Sequence, residues 1–236
     1  MPGNHRLEQA DGTSWMGMYA LNMMDMALEI AMVDETFEDT GTKFFEHFIL
    51  ISEALNQYGL WNDTDKFFYD LLVKDGSTPL HLRIQSIVGL TTLFAVSIIE
   101  TPVLDKLTDF KKRIAWFERY RKKNELFWPN EEHISGDKIL LSLVKKERLI
   151  EILQHVLNED EFLSPGGVRA LSRYHEANPY TVTIDNIAYS IRYDPGDSTS
   201  DFFGGNFNWR GPVWVPINYI LIQSIRKFGE FYGDDL

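Results

Sequence analysis

Two stretches of the sequence carry side chains whose types and spacing could hold a polyhydroxylated ligand. The first is Leu7-Glu8-Gln9-Ala10-Asp11-Gly12-Thr13-Ser14-Trp15. Gln9 and Asp11 would exchange hydrogen bonds with sugar hydroxyls, and Trp15 would offer a flat apolar face. The same residues also read as a helix start, with Asp11 or Thr13 as the cap that accepts orphan N–H groups of the first turn. The second stretch is Gly204-Gly205-Asn206-Phe207-Asn208-Trp209-Arg210-Gly211-Pro212-Val213-Trp214, followed by Pro216, Asn218 and Tyr219. Glycines let a backbone approach a ligand closely. Asn206 and Arg210 add donors, and Trp209 and Trp214 add stacking faces. The alternative is a structural loop, with Arg210 paired to an acid and the tryptophans plugging the core.

Other residue types point nowhere in particular. His47, His81, His133, His155 and His175 are scattered without the spacing of metal ligands. Neither GxxxxGK[ST] nor GxGxxG occurs, and no serine sits in a GxSxG elbow. Asp194, Asp197 and Asp201 are acids by type, in a stretch whose glycine and serines favour turns. They leave open a local acid and base pair with Asp11. The eight basic residues between Lys106 and Lys123 alternate with apolar ones as on a solvated helix face.

The elements that must position these groups read as mostly helical. Trp15, Met18, Tyr19, Met23, Met26, Ala27 and Ile30 recur near the helical period over 15–32. A second helix is expected from Thr36 to Gln57, close enough to the first to form an antiparallel hairpin. Residues 66–73 read as a strand, and the apolar run 86–99 as one buried helix stopped by Pro102. Further helices are expected over 108–123, 145–158 and 213–228. Alternation around Asp185-Asn186 predicts a β-hairpin over 181–193. Paired helices that bury one face on their neighbours close into bundles or toroids.

Composition narrows the function classes. The 236 residues are 44% hydrophobic and 25% charged, an ordinary globular balance. Cysteine is absent, which removes thiolate chemistry and disulfides. A net charge of −12 argues against a nucleic-acid partner. No apolar run reaches the roughly 18 residues of a membrane span. The polar start MPGNHRLEQADG has no secretory pattern, so a cytoplasmic protein is expected. Aromatic residues make up 14%, several of them beside Gly, Asn and Asp, where rings often form ligand walls.

Most of the chain resembles glycoside hydrolase family 63 and its mannosylglycerate-hydrolase-like relatives. The strings that carry the likeness are LEQADGTSWMGMYALNMMDMALEIA, EDTGTKFFEHF, GLWNDTDKFFYDLL, SIVGLTTLFAV, EFLSPGGVRALSRYH and GGNFNWRGPVWVPINYILI. The resemblance implies an all-α fold, a partial (α/α)6 toroid of helical hairpins with a small β-hairpin insertion. Residues 1–236 would be the central part of one incomplete catalytic domain, with no second domain. It implies inverting hydrolysis of an α-glucoside or α-mannoside, which needs a carboxylic acid and a carboxylate roughly 6.5–9.5 Å apart. In such relatives the acid is an Asp in a Gly-x-Asp-Asn segment ahead of the LEQADG stretch, and the base a Glu beyond the RGPVW helix. Neither segment is in this sequence, so no catalytic residue is expected here. Gln9, Asp11, Trp15, Asn206, Trp209, Arg210 and Trp214 would line the sugar pocket. The implied partners are a carbohydrate substrate and the rest of the catalytic domain, without cofactor, metal, nucleic acid or membrane. Gln85 departs from the pattern, a basic residue being usual there. A rival expectation is a non-catalytic carbohydrate-binding or interaction module on the same scaffold.

Overall fold

A computed structural model of the chain describes residues 5–128, 134–196 and 213–236. In chain order the first elements are β1 (His5–Glu8), α1 (Ala10–Ala31), α2 (Glu38–Gln57), β2 (Trp61–Asn62), β3 (Phe67–Phe68), β4 (Asp70–Lys74) and β5 (Leu80–Leu82). There follow α3 (Ile87–Leu90), β6 (Val96–Glu100), α4 (Thr101–Leu104), α5 (Thr108–Lys123), β7 (Ile134–Ser135), β8 (Lys138–Ser142) and α6 (Lys146–Val156). The last are β9 (Leu163–Ser164), β10 (Gly167–Val168), α7 (Tyr174–Ala177), β11 (Tyr180–Ile184), β12 (Ile187–Ile191) and α8 (Val215–Tyr232). About 51% of the described residues are helical and 21% lie in strands of several small antiparallel sheets. The protein is mixed α and β, which overturns the expected all-α partial toroid.

The apolar run 86–99 shows the physical reason. Its helix ends at Leu90, because the Thr91 and Thr92 hydroxyls bond back to the Val88 and Gly89 carbonyls and the chain tightens. The β-branched residues that follow become β6, paired antiparallel with β8 from Val96↔Ser142 to Glu100↔Lys138. Continuous apolarity without a period fits a buried strand as well as a buried helix.

The chain divides into two compact units. The first comprises Met1–Gly12, Tyr58–Thr92 and Val144–Ile222. Its sheet has the order β1-β4-β5, with Leu7 opposite Leu72 and Leu72 opposite Leu80. Leu72, Leu82, Ile84, Leu171, Val182, Ile191 and Tyr193 form its buried apolar cluster. A second cluster stacks Phe67 on Phe162 at 5.8 Å and sets His155 edge-on to the same ring. α3 lies so close to β3 that Gly89 leaves no room for a side chain.

β11 and β12 are joined by the two residues Asp185 and Asn186, with φ of 49° and 66°. That is the left-handed pair of a type I′ turn, whose twist matches the flanking strands. Asp185 lies near Lys74 and His5, at 3.8 and 3.7 Å, so its carboxylate is best left in place. Asn186→Gly relaxes the second left-handed position and is expected to raise stability by about 0.5 kcal/mol. A later urea midpoint with unchanged slope checks this.

The second unit comprises Thr13–Gln57, Leu93–Leu143 and Gln223–Leu236. Here α1 buries Ala20, Leu21, Met24, Ala27, Leu28 and Ala31. Three residues of the expected stripe are largely exposed instead: Tyr19 at 62%, Met26 at 53% and Ile30 at 45%. The helix is apolar on two faces, so periodicity alone could not choose between them. Between α1 and α2 the fit is close, since a Cβ on Gly41 would lie 2.6 Å from a Leu28 methyl. α5 packs on α2 through Phe45 and Phe110, edge to face at 6.2 Å. The buried Glu38 accepts the Phe110 N–H at 2.7 Å, so a carboxylate of α2 caps α5. Arg121 also reaches Glu53, at 2.6 Å, and its Nε donates to the Phe127 carbonyl. It is the member of the basic run that turns inward; Lys111, Lys112 and Arg113 stay at the surface.

Candidate functional site

The head of α1 is built in the first unit. β1 delivers the chain to Gln9, which is exposed, and the helix starts at the fully buried Ala10. β4 is held beside β1 by Glu8↔Leu71, which brings Asp70 up to the helix start. Asp70 Oδ1 accepts the Ala10 N–H at 2.7 Å. The cap of α1 therefore comes from a strand distant in sequence. Asp11, expected as a possible cap, lies within the first turn and accepts the Gly12 N–H at 2.7 Å.

This geometry places two carboxyl groups together in a poorly solvated spot. Burial pushes Asp70 up to about 7; the Ala10 N–H opposes this, while the charge of Asp11 adds to it. Asp11 is raised as well, again chiefly by burial, with the Gly12 and Asp11 backbone N–H groups opposing. Helix N-termini normally favour carboxylate charge. Here desolvation outweighs that preference, and with Asp70 pushed up to about 7 its carboxyl still holds a proton part of the time near neutral pH. Such a pair can both donate and accept hydrogen bonds.

The remaining expected site residues are not all brought to this place. Trp15 stands one turn on from Asp11 in α1, and its half-buried ring meets Phe94 edge-on at 5.5 Å. Trp214 is half-buried just ahead of α8, and its carbonyl accepts both the Asn218 backbone and side-chain N–H groups. Asn218 also pairs with both backbone groups of Val168, at 2.7 and 3.0 Å, so it fastens α8 to β10. Its role is structural. Asn206, Trp209 and Arg210 lie outside the described residues, as do His133, Asp197 and Asp201.

Asp194 lies near Arg192 at 3.6 Å. His155 is held by Glu161 and by the Asp65 carbonyl, and His81 by the Gly59 carbonyl. Among the described residues no group of three or more His, Asp or Glu converges on a metal-sized site. Asp70 was missed by sequence reasoning. Its signal was there, as a lone acid inside the apolar run FFYDLLV.

No family model matches the chain. It is similar to the uncharacterized protein YMR196W of Saccharomyces cerevisiae, 41% identical over 255 residues. That match takes in 100% of this chain and 23% of the yeast protein. The chain thus spans about a quarter of the length of the curated relative it matches.

Proposed function

We propose that the chain supplies a sugar-holding surface to an inverting α-glycosidase-like protein acting on α-glucosides or α-mannosides. Gln9 and Asp11 hold hydroxyl groups at the head of α1. The observation that carries this reading is the placing of Asp70 on the Ala10 N–H beside Asp11, at a helix start where burial raises both carboxyls. Raised carboxyls concentrate at functional sites, and one that keeps its proton can donate to a hydroxyl oxygen. The resemblance of the LEQADG stretch to sugar-handling sequences supports the same residues.

A second reading starts from the buried start of α1, where Asp11 lies beside Asp70 and burial raises both carboxyls. An inverting reaction needs a carboxylic acid that is still protonated near neutral pH, and burial is how one is made. In that reading Asp11 protonates the leaving oxygen itself, and the base lies elsewhere in the longer protein.

Hydrolysis of aryl α-glucoside and α-mannoside, followed by proton NMR of the released anomer, tests both readings. A longer protein containing this segment is expected to release the inverted anomer, while the 236-residue chain alone gives negligible turnover. If Asp11 only holds the sugar, Asp11→Asn weakens hydrolysis equally for good and poor leaving groups. If Asp11 is the acid, the variant loses roughly a hundredfold or more with a poor leaving group and far less with a dinitrophenyl one. Release of the retained anomer would overturn the inverting proposal. Robust turnover by the short chain would overturn the placing of the base outside it.

A further inference from the structure

The first unit also contains a cleft of about 270 Å³, whose lining includes Asp65, Tyr69, Arg83, Gln85, Tyr174 and Tyr180. Gln85 is pinned there through its backbone. Its N–H donates to His175 Nε2 at 2.9 Å, and its carbonyl accepts the Ser172 N–H at 2.8 Å. His175 is 2% exposed, and its other ring nitrogen meets the Asn178 carbonyl at 2.9 Å. That pattern makes Nδ1 the donor and Nε2 the acceptor. Burial also holds this imidazole below its ordinary value, so it is neutral.

The side chain of Gln85 is fixed from the opposite side. Arg83 grips the Asp65 carboxylate with Nε at 2.6 Å and Nη2 at 2.5 Å. The Tyr69 hydroxyl donates to the same carboxylate at 3.1 Å. With its proton committed to Asp65, the phenol oxygen accepts the hydrogen bond it shares with the Gln85 side chain. This bond uses the amide N–H and orients the amide. Gln85 Oε1 is left buried with no hydrogen-bond partner. Buried acceptors are nearly always satisfied, so a pinned one lacking a donor calls for a donor from outside the chain.

We infer that the Gln85 cleft binds a neutral hydroxyl-bearing ring of monosaccharide size, with one hydroxyl donating to Gln85 Oε1. Asp65 and Arg83 neutralise each other and His175 is uncharged, so the cleft offers an ion no net charge. Tyr174, 47% exposed, and Tyr180 supply ring faces for the apolar side of a sugar. The volume lies just below the usual range of ligand sites, roughly 300–1,000 Å³, which suits one ring better than a chain of them. None of this rests on the glycosidase reading.

The test is saturation-transfer NMR and calorimetry on the 236-residue chain, with D-glucose, D-mannose and glycerol as probes. Saturable binding of at least one hexose is expected, with glycerol weaker because it lacks a ring to stack. Gln85→Met keeps the volume, removes the acceptor and is expected to weaken binding about tenfold. Tyr174→Ala, at an exposed position, is expected to weaken it about threefold and carries the test should Gln85→Met fail to fold. Absence of hexose binding at about 100 mM, where even weak sites fill, overturns the inference. Unchanged affinity in a folded Gln85→Met also overturns it. If binding follows Asp11→Asn instead, the sugar sits at the head of α1, and the cleft fails while the glycosidase reading stands. If the longer protein hydrolyses nothing but the cleft still binds hexose, the glycosidase reading fails and the cleft stands.

Discussion

Replacing Asp70 with asparagine is expected to stabilise the protein by about 4 kcal/mol at pH 8 and to leave it nearly unchanged at pH 4. The asparagine oxygen still accepts the Ala10 N–H that Asp70 accepts at 2.7 Å, so the helix start keeps its partner. What changes is the charge. The carboxyl has an ordinary value of 3.8 and is raised to about 7 in the folded chain. Between those values the folded chain keeps a proton that the unfolded chain has lost. The raised group therefore contributes its full stability below pH 3.8 and loses it as pH rises through about 7. Above that, folding must hold a desolvated charge. Urea midpoints of the two proteins, compared from pH 4 to pH 8, should converge in acid, draw apart between about pH 4 and 7, and keep a constant gap above that. Parallel profiles would mean that Asp70 titrates as an ordinary surface carboxylate, and the case for Asp11 as a raised partner would fall with it.

Gly89→Ala is expected to cost about 3 kcal/mol or more, the upper range for overpacking a filled core. An added Cβ would lie 2.3 Å from the Phe67 ring and 2.4 Å from the Phe68 carbonyl oxygen. A flexible side chain could step aside, but Phe68 presents backbone. The Phe67 ring is itself stacked on Phe162 and set against Tyr69 and His155. Thermal unfolding should show the loss at once. A change within a degree of the parent would mean that α3 can retreat from β3, and the close approach would lose its significance.

The elements that could be read from the sequence are those with one clear period and local punctuation. α5 runs over Thr108–Lys123, the span its pattern predicts, because a basic face and an apolar face alternate without ambiguity. The hairpin turn at Asp185-Asn186 was legible because those residue types tolerate left-handed backbone. The run 86–99 was not, since nothing in an unbroken apolar stretch separates β6 from a buried helix. The buried face of α1 was hidden for the opposite reason, there being two apolar stripes to choose from.

For the candidate site, local sequence proposed Gln9 and Asp11 as ligand-holding residues but named the wrong cap for α1. The true acceptor, Asp70, reaches Ala10 only because β4 pairs with β1 in a particular register. The Gln85 cleft was equally unreadable. Its orphan oxygen is defined by bonds to Tyr69, Ser172 and His175, which no local spacing announces.

Two helices of this protein open on carboxylates supplied from far along the chain: Asp70 for α1, 60 residues away, and Glu38 for α5, 72 residues away. During synthesis the start of α1 leaves the ribosome well before the strand that satisfies it exists. α5, by contrast, emerges after its acceptor is already in place. The first helix must therefore wait, frayed at its beginning, until a long stretch of chain has closed back on it, whereas the later one can complete as it appears.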